Sequence, residues 1–421
     1  MKKKVIALAL GLAAGLMLGA CRSMPEEGLG GSSGSGNGQT VKLTLWGPTE
    51  QQKMLGEMVE QFKKENGGSR YEITLAVVSE ADAYKTIGTD VSAGADVYAF
   101  ANDQIGNLYR AGALAQIGGK NLEKMTAENG EGAVNAAHVF GGYYGYPYTA
   151  DNGYFLYYDK SVVSSPDTLE GILTDLSAKN KKLVIDLDEP WYTSGFFFGT
   201  GCKYEVTYDE SGKESAITCD FNDSVKGIAA GKAMLALKEN SAFLNGGDDE
   251  MKAGFSGGSV GAAVSGTWNA EAIQTALGAN YAAAKLPTFT VDGNTYQMSS
   301  FAGYKLYGVN PTSEHLAEAH KLAAFLSSEA MQLKRFNDVA AGPSNKNAAM
   351  SEGVKANIAL AALSAQGAHA VPQTSVPTNF FNAVEAFAEE LTSGKVTTAN
   401  LQQKLNTMTT DIKSLTTAKK K

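Results

Sequence analysis

The chain has 421 residues, 43% of them hydrophobic and 19% charged, which is long enough for two cores and typical of a soluble globular protein. Its 36 basic and 44 acidic residues leave a formal charge of −8, and an acidic chain repels phosphate backbones, which argues against nucleic acid as the main partner. Three cysteines and four scattered histidines exclude a disulfide-dense scaffold and argue against a thiolate or imidazole metal cluster.

Lys2, Lys3 and Lys4 precede a small, apolar run over residues 5–18. That run has the length of a signal-peptide core and is short for a membrane-spanning helix. It ends in Leu18-Gly19-Ala20-Cys21, which resembles the bacterial lipobox. The resemblance implies a signal peptide over residues 1–20 and a lipidated Cys21. Its acyl chains would hold the protein on the outer face of the cytoplasmic membrane, each buried CH₂ contributing about 0.8 kcal/mol. Residues 21–39 read as a tether, because the glycines and serines of 28–38 have nothing to bury. No strand precedes those glycines and no lysine follows, so they are not a phosphate loop, and Gly227 to Gly231-Lys232 has the wrong spacing for one.

Residues 41–46 form an apolar strand broken by Gly47-Pro48, and Thr49 with Gln52 makes a capping box for a helix. Leu55, Met58, Val59 and Phe62 give that helix one buried face, and Asn66-Gly67-Gly68 ends it. A strand over 71–78, a helix over 81–91 and a strand over 96–101 follow. Such alternation with short connections predicts a parallel sheet with right-handed crossovers. Ligands of such sheets bind beyond the carboxyl ends of the strands, where the loops 47–51, 100–104 and 186–192 would lie.

Residues 141–158 hold seven of the 18 tyrosines, and 154–158 reads as a strand entering a second lobe. A strand over 182–187, a helix over 225–239, strands over 258–265 and 304–309, and helices over 314–328 and 330–339 continue the pattern. The tail, 379–415, reads as two helices separated by Ser393-Gly394. Cys202 and Cys219 are equidistant from a turn at 209–212 between extended flanks. In an exported protein that spacing predicts a disulfide across a hairpin, contributing about 3 kcal/mol.

The candidate chemistry sits at strand ends: Glu50, Asp103, Asp151 and Glu189 as acids, and Phe100, Trp191, Tyr192, Trp268 and Phe381 as aromatics. Sugars need this mixture, since their hydroxyls take charged acceptors while the C–H faces of their rings pack on aromatic surfaces.

Leu43-Thr44-Leu45-Trp46-Gly47, the run 95–106, Gly112 to Ile117, Gly145-Tyr146-Pro147-Tyr148, Tyr157 to Lys160, Asp188-Glu189-Pro190-Trp191, Ser265 to Trp268, Lys285 to Thr288 and Pro377 to Phe381 resemble, in order, the signatures of maltose/maltodextrin-binding proteins. The resemblance spans residues 42 to 415. It implies an α/β fold of two lobes, each a sheet flanked by helices, closing over an oligosaccharide. It also implies delivery of malto-oligosaccharide to an ABC permease by a monomeric protein without cofactor or metal. By the same resemblance Asp103 matches a carboxylate that binds glucosyl hydroxyls, Asp151 the acid where the chain crosses between lobes, and Glu189 with Trp191 the acid and stacking aromatic of the second lobe, while Trp268 and Phe381 match two further platforms. Glu50 aligns near a polar contact. Phe100 and Phe381 stand where the best-known members carry tryptophan, and Gln104 replaces a basic residue. With breaks near Asp151-Asn152, Tyr304-Lys305 and Ser351, the resemblance divides the chain into a first lobe of 40–150 plus 307–350 and a second of 151–306 plus 351–421.

Two other classes compete. Asp186, Asp188 and Glu189 could form the carboxyl pair of a glycosidase, although no serine elbow, zinc-protease helix or calcium-loop spacing is present. Asp248-Asp249-Glu250 reads as a solvated helix start, and His138, His315, His320 and His369 lack ligand spacing. A surface adhesin would need no cleft of acids and aromatics.

Overall fold

Val41–Gly47 is a strand with Val41, Leu43 and Leu45 buried. It leads into the helix Gln52–Glu65, which buries Met54, Leu55, Met58, Val59 and Phe62. These belong to a computed structural model that describes residues 40–208, 214–373, 376 and 378–414. The signal peptide, Cys21, the tether and the turn at 209–212 lie outside the described residues. The capping box expected of Thr49 and Gln52 is not formed. Thr49–Gln51 make a short helical turn, and Gln52 sends its amide back to the carbonyl of Gly47 at 2.8 Å. The helix expected over 81–91 is confined to Ala83–Ile87 and ends at Gly88.

Val41–Gly47 pairs in parallel with both Tyr71–Val77 and Val97–Ala101. Ser300–Val309 and Ala370–Pro372 extend this first sheet, and Tyr146–Gly153 also pairs with Ser300–Val309. A second sheet runs in the order Phe243–Asn245, Lys182–Ile185, Val260–Ser265, Phe155–Asp159, Tyr281–Ala284 and mixes parallel and antiparallel pairs. Each sheet has its own core. One draws on residues 41–148 and 306–331, the other on 154–301 and 376–412. Two long strands carry the chain between them: Tyr146–Gly153 runs into Phe155, and Ser300–Val309 puts Phe301 in the second core and Leu306 in the first. This is the two-lobed α/β architecture expected. Among the described residues no helix is long and apolar enough to cross a membrane.

The first core encloses a polar knot near the crossing strands. Glu80 accepts from Tyr148 Oη at 2.9 Å and from Gln51 Nε2 at 3.3 Å, with Lys305 Nζ at 3.5 Å. Arg335 is 0% exposed; it donates to Tyr307 Oη at 2.7 Å and lies 4.4 Å from the Tyr148 ring centroid. Burial pushes the Glu80 carboxyl up, but the Lys305 charge and the hydrogen bonds around it bring it below the usual carboxylate range.

The disulfide expected between Cys202 and Cys219 is not formed, and both thiols are free and buried. The hairpin is present as Tyr204–Tyr208 against Glu214–Cys219, but Tyr208 pairs with Glu214, one residue off the register that would join the cysteines, and the shift between Glu214 and Ala216 adds a second, so that Cys219 stands opposite Tyr204. Equal distance from the turn places cysteines face to face only when no residue is inserted between them. Burial pushes the Cys202 thiol up to about 12 and that of Cys219 to about 11, so thiolate is scarce at neutral pH. We expect iodoacetamide to leave both unlabelled in the folded protein and to modify both after denaturation, as read by peptide mass spectrometry.

Candidate functional site

A cavity of about 450 Å³ opens between the two sheets. Its walls are the turns that follow parallel strands, as the topology requires. On the first-sheet side, Asp103 and Gln104 lie in the turn after Val97–Ala101. On the second, Lys182–Ile185 is followed by Asp186 and Glu189, and Pro190 starts a helix whose first turn presents Trp191 and Tyr192. Asp248 opens the helix after Phe243–Asn245, and Trp268 follows Val260–Ser265. Phe381, Asn152 and Gln373 complete the wall.

The aromatics form a connected shelf. The Trp191 and Trp268 rings are 5.9 Å apart at 39°, and Tyr154 and Tyr192 meet Trp191 edge-on at 4.7 and 5.3 Å. Trp268 lies against Gly266, where a Cβ would sit 1.9 Å from the ring, so only glycine allows this approach. Its indole N–H donates to Asp248 Oδ2 at 3.0 Å. The Trp191 indole donates to Gln373 Oε1 at 2.9 Å.

The carboxylates are held by backbone and helix start. Glu189 caps its helix by accepting from the Trp191 backbone N–H at 3.3 Å. Asp186 Oδ1 accepts from the backbone N–H groups of Asp188 and Glu189, each at 3.2 Å. Burial raises the pKa of both Asp186 and Glu189. Asp103 Oδ1 is buried without a partner, and burial pushes that carboxyl up to about 7. A sugar hydroxyl is held better by carboxylate than by the neutral acid. Affinity through Asp103 is therefore expected to rise with pH through about 7, with proton release on binding below it. Calorimetry in buffers of different ionisation enthalpy checks this, and Asp103→Asn should flatten the profile.

Six expected site residues line the cavity: Asp103, Glu189, Trp191, Tyr192, Trp268 and Phe381. Three do not. Glu50 is exposed on the turn after the first strand. Phe100 is 0% exposed and packed in the first core, so it has no face to offer a ring. Asp151 is buried in the crossing strand, where Oδ2 accepts from the backbone N–H of Gly342 at 2.6 Å and from Thr267 Oγ1 at 3.2 Å. It ties strand to loops. Asp248, read as a solvated helix start, instead lines the cavity and anchors Trp268. Asp188, one of the carboxyls considered for a glycosidase, is occupied by Asn245 Nδ2 and Thr392 Oγ1, each at 2.5 Å. Gln373 was missed because nothing local marks it. Among the described residues no group of histidine, cysteine, aspartate and glutamate could hold a metal ion.

Residues 57–362 match the family described as bacterial extracellular solute-binding protein. A galactooligosaccharide-binding protein of Bacillus subtilis (strain 168) is 26% identical over 396 residues, covering 90% of this chain and 89% of that protein. A solved structure recorded with acarbose superposes with a TM-score of 0.79 at 31% identity, covering 89% of this chain and 99% of that one. The maltodextrin-binding protein of L. casei BL23, solved without ligand, shares the fold with a TM-score of 0.76 at 22% identity over 89% of this chain and 99% of its own. The chain belongs to the bacterial extracellular solute-binding protein family, whose members bind oligosaccharides among their solutes and do not catalyse.

Proposed function

We propose that this protein captures malto-oligosaccharides in the cavity between its lobes and delivers them to an ABC importer. The observation that carries the reading is the pairing of an aromatic shelf, Trp191 and Trp268, with carboxylates at Asp103, whose Oδ1 is buried, and Glu189 on the cavity wall. One side suits the C–H faces of glucosyl rings and the other their hydroxyls. The relative recorded with acarbose supports an oligosaccharide of this type. The galactooligosaccharide-binding relative favours a second reading, a galactose-containing chain in the same cavity. Calorimetry with maltotriose, maltotetraose, a galactotriose and xylotriose separates the two. Heat with the malto-series alone supports the first, heat with galactotriose alone replaces it with the second, and no heat with any of them removes oligosaccharide capture.

The apolar run at residues 5–18 and its end at Cys21 support a lipid anchor on the outer face of the membrane. Metabolic labelling with an alkyne fatty acid should mark the wild type and fail to mark Cys21→Ser, which should be released into the medium. The lobes are taken as residues 40–150 plus 307–350 and 151–306 plus 351–421.

A further inference from the structure

Where Tyr146–Gly153 pairs with Ser300–Val309, Thr149 stands opposite Lys305 and Asn152 opposite Gly303, so the first strand carries an extra residue between them. Such a bulge re-aims the residues it contains. Ala150 and Asp151 close on Gly342: the Ala150 N–H donates to the Gly342 carbonyl at 2.8 Å, and the Gly342 N–H donates to Asp151 Oδ2 at 2.6 Å. A Cβ on Gly342 would lie 2.8 Å from Leu360 Cδ2 and 3.0 Å from the Asp151 Cβ, so this close approach needs glycine. The same Oδ2 accepts from Thr267 Oγ1 at 3.2 Å. Thr267 is buried and precedes Trp268 in the short helical turn Thr267–Asn269. With the lobes divided as above, Gly342 belongs to the first and Thr267 to the second. One carboxylate oxygen at the crossing therefore takes a donor from each lobe, and the second donor is the neighbour of a platform.

We infer that Asp151 is a positioning residue of the site: it does not touch the ligand but, through Thr267, sets where the Trp268 ring stands relative to the first lobe. At 4% exposure Asp151 lies behind the cavity wall, while Asn152 and Trp268 are on it. The indole bond to Asp248 and the seat on Gly266 fix Trp268 within the second lobe, and the Asp151 oxygen relates its turn to the other lobe. A platform already in place needs no ordering when the ligand enters. For its affinity readout this rests on the oligosaccharide reading above; its ligand-free readout does not.

Asp151→Leu removes the acceptor from both donors, Asp151→Asn keeps one oxygen for them, and Thr267→Val removes the second-lobe bond alone. The chain has three tryptophans, and Trp268→Phe assigns the Trp268 indole N–H resonance of the unliganded protein. That resonance should shift in Asp151→Leu and in Thr267→Val, and return towards its wild-type position in Asp151→Asn. The sugar that binds the wild type should bind Asp151→Leu and Thr267→Val about three- to tenfold more weakly, and Asp151→Asn should recover most of that loss. Since both changes break the same bond, adding Thr267→Val to Asp151→Leu should weaken binding no further. If Asp151 instead held the sugar itself, Thr267→Val would leave affinity unchanged while Asp151→Asn lowered it, and that result would overturn the inference. So would a lowered melting temperature with an unmoved indole resonance in Asp151→Leu, the mark of a purely structural residue. Should that variant fail to fold, an unmoved resonance in Thr267→Val has the same force. If the resonance moves while no sugar binds even the wild type, the positioning role stands and the oligosaccharide reading falls.

Discussion

Trp268→Ala is expected to weaken oligosaccharide binding by roughly 30- to 1,000-fold, the 2–4 kcal/mol typical of an aromatic anchor, while barely moving the melting temperature of the unliganded protein. The asymmetry follows from its surroundings. Trp268 is 40% exposed and rests on Gly266, so the folded state without ligand owes it little packing. A closed cleft would bury that surface against a sugar ring. Trp191→Ala should cost similar affinity and lower the melting temperature as well, since Trp191 also packs edge-on against Tyr154 and Tyr192. Calorimetry and thermal unfolding on both variants read the two quantities. Full affinity in both would remove the shelf from the site.

Lys305→Met should be the most destabilising single change near the crossing strands, by about 3 kcal/mol or more, because it leaves the buried Glu80 carboxylate without its ammonium partner. The pH dependence gives the sign. In the wild type the folded Glu80 pKa lies below its ordinary value, so the knot stabilises above the unfolded pKa and that contribution is lost as pH falls through the folded one. Without Lys305 burial dominates and the folded pKa rises. The variant should then regain ground relative to wild type as the solution is acidified. Urea unfolding at several pH values tests this, and Glu80→Gln combined with Lys305→Met should recover part of the loss. A deficit below about 1 kcal/mol, constant with pH, would mean that Tyr148 and Arg335 suffice to hold the carboxylate.

The sequence made the lobes and most of the cavity legible because strand, turn and helix start are local signals, and a parallel sheet puts its turns on one edge. Glu189-Pro190-Trp191 is such a case: the cap, the proline at the first helical position and the platform are consecutive. Facing was harder to read. All five residues of Val97–Ala101 are buried, so alternation could not show that Phe100 turns into the core while Asp103, three residues on, reaches the cavity. Asp151 carried the right chemistry at a crossing, but its oxygen serves a contact 191 residues away. Gln373 meets Trp191 across 182 residues and Asn102 across 271, distances at which no spacing rule operates. For the cysteines, counting from the turn failed by two residues: the ladder starts with Tyr208 opposite Glu214, one off the symmetric register, and the irregularity at Glu214/Ala216 adds another.

Neither core is built from a continuous stretch. The first needs Leu306 through Met331 to join segments made much earlier, and the second needs Leu401, Leu405, Met408 and Ile412 at the far end. During synthesis from the N-terminus, nearly the whole polypeptide must emerge before the second lobe can bury its apolar surface. Contacts of such long sequence separation close slowly. A nascent chain of this design stays loosely organised while most of it is threaded through a membrane pore, and completes its structure on the far side. Removing the final helix, Leu401–Lys413, would leave the second lobe in that unfinished condition while the segments of the first lobe remain all present.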